Sequence, residues 1–240
     1  MAKKTRKQPT GKIITYLDTN PLWEQYFGEG GTGLWSAKYL KRARELCPSP
    51  DIVLDVGANI GQTAVYYADW AQEVWSFEPL PHLHEIVIEN VNQNNQKNVK
   101  VFNKAVGDVH TTLKMKAVAS NDGASFVTTK DSPDLVPVES ITLDSLEIPD
   151  GRRVDYIKMD IEGYEPMALK GAVALINKYK PVVQLEVVDG HLSRVGWDSV
   201  KVVNFMQSLG YNGFLAGGRP VDPVNEVGKD WRGDIFFLPS

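Results

Sequence analysis

Ile52-Val53-Leu54-Asp55-Val56-Gly57-Ala58-Asn59-Ile60-Gly61 is the stretch on which the fold turns. Its first half is an apolar run of strand length, broken only by Asp55, and predicts a strand over 52–56. Gly57 and Gly61 predict a tight turn. Ala64, Val65 and Ala68 then lie on one side of a following helix. A second apolar run, 73–77, ends on Glu78, which falls 21 residues after Gly57. Strand, glycine turn, helix and a second strand closed by a carboxylate form a nucleotide-type site at the edge of a parallel sheet.

The glycine spacing narrows the ligand. A dinucleotide fingerprint would read G-x-G-x-x-G. Here three residues separate Gly57 from Gly61, and Asp55 stands two before the first glycine. That D-x-G-x-x-x-G pattern resembles motif I of the S-adenosylmethionine (SAM) methyltransferases. The two glycines let backbone approach the ligand closely. The helix beginning near Gly61 offers free N–H groups to an anion, here a methionine carboxylate. Glu78 can accept hydrogen bonds from both ribose hydroxyls. The bland alternative is a strand–turn–helix with no ligand.

Bulk properties bound the rest. A chain of 240 residues, 42% hydrophobic and 23% charged, suits one globular domain with a sizeable core. The net charge of −4 gives no reason to expect a nucleic-acid partner. Cys47 is the only cysteine, so no internal disulfide can form, and a reducing, cytoplasmic location is expected. No apolar run approaches the ~20 residues of a membrane span, and the N-terminus lacks a signal-peptide core. Lys3, Lys4, Arg6, Lys7 and Lys12 carry the first dozen residues without an acid. Residues 1–12 are expected to form a disordered basic arm, with contact to an anionic partner or membrane surface as the sharper reading. Residues 13–50 are expected to be a helical and aromatic cap segment, and 51–240 the main domain.

Along the chain, 36–46 predicts a helix. Trp23, Tyr26, Phe27 and Trp35 either cap the site or pack on the core. Leu83, Ile86, Val87 and Val91 mark a second helix after the 73–77 strand, and 99–102 a third strand. This β-α-β-α-β order predicts a parallel sheet with right-handed crossovers. Residues 111–145 break the rhythm, and alternation at Leu113, Met115 and Ala117, then at Val136 and Val138, predicts an inserted β-hairpin. Its polar loop, Ser120-Asn121-Asp122-Gly123-Ala124-Ser125, is placed to touch substrate. Strand four is expected at 154–159, one helix through Ala168, Leu169, Ala172, Leu175 and Ile176, strand five at 182–187, a helix at 197–209, and two last strands at 211–216 and 234–238.

Ligands of open α/β sheets bind beyond the carboxyl ends of the strands. Those ends carry Asp55; Glu78; Asn103, Lys104 and Ala105; Asp160 and Glu162; and Glu186, Asp189 and His191. Asn103 joins the cofactor-binding candidates. If the nucleophile is a hydroxyl, its proton must leave, which a base or a divalent metal assists. Asp160, Glu162 and Glu186 could serve as base, bind a metal, or hold acceptor hydroxyls. Asp160 is the first choice, although an Asp there can also cap the next helix. His191 is a candidate base without a visible partner. A Mg²⁺ site has no histidine-rich or D-x-D-x-D loop to support it.

Several pieces together resemble the FkbM-type SAM-dependent methyltransferases: Leu54-Asp55-Val56-Gly57-Ala58-Asn59-Ile60-Gly61, Phe77-Glu78-Pro79, Ile141-Thr142-Leu143-Asp144, Ile157-Lys158-Met159-Asp160-Ile161-Glu162-Gly163-Tyr164-Glu165, Leu169-Lys170-Gly171-Ala172, and Pro181 through Leu185-Glu186-Val187. They follow the family's order over about residues 52–187. The resemblance implies a Rossmann-like α/β fold with a mostly parallel seven-stranded sheet and helices on both faces. It also implies SAM as cofactor and O-methylation of a hydroxyl on a sugar or small natural product. Asp55, Gly57, Asn59, Gly61 and Glu78 carry over as cofactor contacts. Asp160 and Glu162 carry over to the methyl-transfer end. Three rival readings stand beside it. A nucleic-acid base methyltransferase would want prolines where Ile161-Glu162-Gly163 stands. A dehydrogenase would want the G-x-G-x-x-G spacing. A non-catalytic interaction module would keep the domain without the chemistry.

Overall fold

The computed structural model describes residues 2–18, 20–29, 31, 33–34, 37–118, 121–132, 134–221, 227 and 230–240. Trp35, the helix start Ser36 and the loop residue Ser120 lie outside the described residues, as does the side chain of Asp122. In chain order the elements are β1 (Lys3–Lys7), β2 (Ile13–Leu17), α1 (Pro21–Phe27), α2 (Ala37–Leu46), β3 (Ile52–Val56), α3 (Gln62–Tyr67), β4 (Glu73–Phe77), α4 (Pro81–Gln93), β5 (Val99–Phe102), β6 (Ala105–Val106), β7 (Thr111–Lys116), β8 (Phe126–Val127), β9 (Leu135–Ile141), β10 (Val154–Met159), α5 (Glu165–Lys170), α6 (Val173–Tyr179), β11 (Val182–Val188), α7 (Asp189–Leu192), α8 (Ser199–Ser208), β12 (Tyr211–Phe214) and β13 (Arg232–Pro239).

The main sheet has seven strands in the order β12-β13-β11-β10-β3-β4-β5. β11, β10, β3, β4 and β5 pair in parallel, and β13 runs antiparallel between β11 and β12. Every residue of β3 is buried, as expected for a central strand covered on both faces. One face packs on α5, α6 and α8 through Ala168, Leu169, Ile176, Val202 and Met206. The other packs on α2, α3 and α4 through Leu40, Ala64, Tyr67 and Val87. The order reverses at β3/β10, where a ligand crevice opens in such sheets.

Three expectations need correction. First, residues 3–7 are not a disordered arm: they pair antiparallel with β2. The exposed pairs Lys3–Glu89 and Lys4–Glu24 add little to this. The hairpin is anchored by burial of Ile14 and Tyr16 and by Asn90 of α4. The Asn90 amide accepts from Thr15 N–H at 2.7 Å and donates to Thr15 C=O at 2.9 Å, standing in for a neighbouring strand. Second, the insertion is more than a hairpin. β7 and β9 form its arms, but both outer edges are covered, giving a four-stranded sheet β6-β9-β7-β8. Third, the single helix expected through Ala168 and Ile176 is two, α5 and α6, parted at Gly171. A Cβ at Gly171 would collide with Gly107 C=O, so the helix breaks where another backbone passes. Trp23 and Phe27 pack in a core cluster with Tyr16, Ile60 and Leu83, and Trp23 also faces the cavity described next.

Candidate active site

A cavity of about 210 Å³ opens at the carboxyl ends of β3, β4 and β10. One wall is formed by Gly57, Ala58, Asn59, Glu78 and Leu80, from the turn after β3 and the end of β4. Glu78 is only 5% exposed. Its Oε2 accepts from Asn59 N–H at 2.8 Å, and its Oε1 from Leu80 N–H at 2.9 Å. Burial pushes its carboxyl up to about 7, against the pull of those two N–H donors. Asn59 holds a left-handed φ of 55°. Its Oδ1 is buried and has no hydrogen-bond partner among the described residues, which leaves an acceptor on the wall.

Three of the expected cofactor residues lie behind that wall. Asp55 is 0% exposed, shares the one Thr63 hydroxyl proton between its two oxygens at 2.9 and 3.1 Å, and lies 3.6 Å from Lys158 Nζ. Burial raises its carboxyl, while Lys158 and Thr63 oppose the rise. Asn103 donates from Nδ2 to the carbonyls of Glu78 and Pro79 at 2.9 Å, bracing the loop that carries Glu78. Gly61 has φ +78°, and a Cβ there would come within 2.8 Å of Val87 Cγ1, so it serves helix packing. Gly57 is on the wall, yet its missing Cβ makes room for Asp160 C=O rather than for a ligand. The turn joining β3 to α3 and the loop after β10 are therefore pressed together backbone to backbone.

Lys158 ties these pieces and was not singled out from the sequence. It is buried, donates to Gly57 C=O at 2.8 Å, and sits 3.6 Å from both Asp55 and Asp160. Burial alone would lower its ammonium; the carboxylates of Asp160 and Asp55 outweigh that and raise it. A lysine inside an apolar strand run was the available signal, since a buried ammonium needs partners.

Asp160, Glu162 and Glu186 also line the cavity, from the carboxyl ends of β10 and β11. The Asp160 side chain is 38% exposed. Glu162 holds φ 57°, an uncommon conformation for a non-glycine residue. Burial, then repulsion from Glu186 and Asp160, raises Glu162 to about 9. Burial also raises Glu186, with Asp160 adding repulsion. His191 does find partners: its Nδ1 lies 3.1 Å from Glu162 Oε2 and 3.7 Å from Glu186 Oε2. Glu165 completes the group; it is 1% exposed and raised to about 8 by burial and Glu186. Met115, Asn121, Gly123, Ser125 and Val127 of the insertion line the cavity, so the insertion covers the site. Arg194 fastens that side, stacking 4.0 Å over the Phe126 ring and donating to Glu162 C=O at 2.9 Å.

Residues 55–212 match the family model of the methyltransferase FkbM domain, well over half of the chain. The chain belongs to the FkbM methyltransferase family. The family is SAM-dependent, and solved structures of methyltransferases resemble this chain at the level of the fold. The FkbM methyltransferase of Methylobacillus flagellatus is 24% identical with a TM-score of 0.50, over 79% of this chain and 44% of that one. The chain thus spans less than half the length of that relative. A TehB-like SAM-dependent methyltransferase from Corynebacterium glutamicum is 12% identical with a TM-score of 0.52, over 92% of this chain and 95% of that one. A Streptococcus mutans protein in complex with SAH is 12% identical with a TM-score of 0.51, over 83% and 94%. No curated protein matches the chain by sequence. Among the described residues, no helix is long and apolar enough to cross a membrane.

Proposed function

We propose that this FkbM-family protein methylates a hydroxyl group of a small-molecule or carbohydrate acceptor, with Asp160 as the base. The observation that carries the reading is one cavity lined by two chemically distinct sets of residues. Buried acceptors, Glu78 and Asn59 Oδ1, form one set, and the carboxylates Asp160, Glu162 and Glu186 the other.

The first set fits the nucleoside and amino-acid parts of SAM. Glu78 would accept from the ribose hydroxyls, Asn59 Oδ1 would take a further donor, and Phe77, Leu80 and Leu83 offer an apolar wall. Asp55, Gly61 and Asn103 would act from behind, by holding the turn and the Glu78 loop. When bound, SAM supplies an electrophilic methyl group on a positively charged sulfur. The chain's own residues then have to orient the acceptor, exclude water and take a proton. Trp23 and, from the insertion, Met115 and Val127 add apolar lining that would help to exclude water. Asp160 would receive the acceptor's hydroxyl proton: it is the most exposed of the three carboxylates, whereas Glu162 and Glu186 face His191. A wall so rich in carboxylates disfavours a polyanionic acceptor such as nucleic acid. The lone Cys47 supports the cytoplasm as the compartment.

The test has two parts. Calorimetry should give saturable binding of SAM and SAH and none of NAD. Asp160→Asn should keep SAH affinity while slowing methyl transfer to a hydroxyl acceptor by about 10²-fold or more. Unchanged turnover in that variant removes Asp160 from the mechanism; a folded protein that binds neither SAM nor SAH removes the reading.

A further inference from the structure

We propose that Glu162, Glu186 and His191 bind a divalent transition-metal ion of the manganese or zinc class on the carboxylate-lined wall of the cavity, leaving coordination positions open to an acceptor oxygen. The ion's role in activating that oxygen rests on the methyl-transfer reading; its binding does not.

Three elements converge to make the site. Glu162 comes from the loop after β10, Glu186 from the carboxyl half of β11, and His191 from α7, which directly follows β11. One potential ligand atom from each residue lies within 4.8 Å of the other two. An ion at the usual metal–oxygen and metal–nitrogen distances of about 2.0–2.2 Å can reach all three with small side-chain adjustments.

The ring nitrogen is the second observation. His191 Nδ1 is shielded from solvent and makes no well-directed hydrogen bond, although Glu162 Oε2 is 3.1 Å away. It faces two carboxylates, as a ligating nitrogen does when a cation lies between them. A third observation concerns Glu165, only 1% exposed at the first position of α5, three residues after Glu162. Its Oε1 accepts from Ile161 N–H at 2.8 Å, while Oε2 has no hydrogen-bond partner among the described residues, and the carboxylates of Glu186 and Asp160 repel its charge. A buried carboxylate oxygen without a partner beside further carboxylates calls for a cation or a water attached to one. Lys158 does not meet that need, because it is shared between Asp55, Asp160 and Gly57 C=O.

Local backbone construction agrees. Gly163 has φ +98°, and a Cβ there would collide with His191 C=O. Only a residue without a side chain lets α7 close on the β10 loop and bring His191 to Glu162. The donor set selects the ion: carboxylates alone would suit Mg²⁺ or Ca²⁺, whereas an added imidazole shifts preference toward Mn²⁺, Zn²⁺ and their neighbours. Bound there, an ion would act as a Lewis acid on an acceptor hydroxyl, lowering its pKa before Asp160 takes the proton.

The probe is Mn²⁺, titrated into EDTA-treated full-length protein and followed by electron paramagnetic resonance and calorimetry, with and without SAH. One Mn²⁺ per chain is expected, bound about 10-fold or more tightly than Mg²⁺. His191→Ala and Glu162→Gln should each weaken it by about 10-fold or more, while His84→Ala, on α4, leaves it unchanged. Retained SAH binding in every variant reports that each is folded. SAH binding without Mn²⁺ binding up to 1 mM (about) overturns the metal site and leaves the methyltransferase reading standing. Mn²⁺ binding without SAH binding does the reverse. Mn²⁺ affinity indifferent to both His191→Ala and Glu162→Gln overturns the assignment of these ligands.

Discussion

Replacing Glu78 by Gln separates what this carboxylate costs the fold from what it gives the ligand. Burial raises it from 4.5 to about 7, a difference worth about 3 kcal/mol. Between those values the folded protein keeps a proton that the unfolded chain has released. The contribution to stability is therefore fully present below pH 4.5 and is lost as pH rises through about 7. Gln carries no titrating proton, so stability of wild type relative to Glu78→Gln should fall by about 3 kcal/mol between pH 4.5 and 8. A pH-independent offset opposes it. The Gln amide oxygen can satisfy only one of the Asn59 and Leu80 N–H donors while its NH₂ faces the other, costing about 1–3 kcal/mol. Wild type should lead at pH 5, and the two should meet or cross near pH 8. Urea denaturation at stepped pH measures this directly. A stability difference that stays flat from pH 4.5 to 8 refutes the burial argument. Binding adds an independent arm: losing charge-assisted acceptance of two hydroxyls should weaken SAH by about 10²-fold, and an unchanged SAH affinity refutes the ribose assignment.

Two further outcomes follow from buried groups. Lys158→Met removes the cation beside Asp55, which is 0% exposed, and should destabilise by about 3–5 kcal/mol; combining it with Asp55→Asn should recover part of the loss, and a double variant no more stable than Lys158→Met contradicts the pairing. Burial and the neighbouring Asp155 push the Cys47 thiol up to about 11, so native protein at pH 8 should react with a thiol reagent far more slowly than protein in urea, and equal rates would refute this.

The central strands were legible because burial on both faces leaves a dense apolar run with sharp ends. β3, β4, β5 and β10 fall at 52–56, 73–77, 99–102 and 154–159 as the sequence predicts. Where long-range contacts decide, the sequence was silent. Nothing local in Lys3–Lys7 announces that Asn90 will hold its partner strand. The break between α5 and α6 depends on Gly107, far away in the chain. The same distinction runs through the site. Sequence assigns a residue to a strand end, but not to the front or back of the turn there. Hence Glu78, Asn59, Asp160, Glu162 and Glu186 reach the cavity, whereas Asp55, Gly61 and Asn103 support it from behind. Lys158 and Glu165 stood inside a quoted motif, yet their work is electrostatic and shows only once their partners converge.

The glycines of the two motifs carry a physical meaning that spacing alone does not convey. Gly57 lacks a side chain because Asp160 C=O occupies its place, and Gly163 because His191 C=O does. Three strand ends, those of β3, β10 and β11, are thereby locked in series, with the cavity on their outer side. Altering either glycine would move both sets of lining residues at once, so a loss of binding there would say nothing about ligand contact. Glu78 and Asp160 are different: each presents a side chain from a backbone already fixed by its neighbours. Conservative changes at those two positions can therefore report on chemistry without dismantling the frame. The two sets of lining residues are separable in experiment for that reason, cofactor affinity through Glu78 and turnover through Asp160.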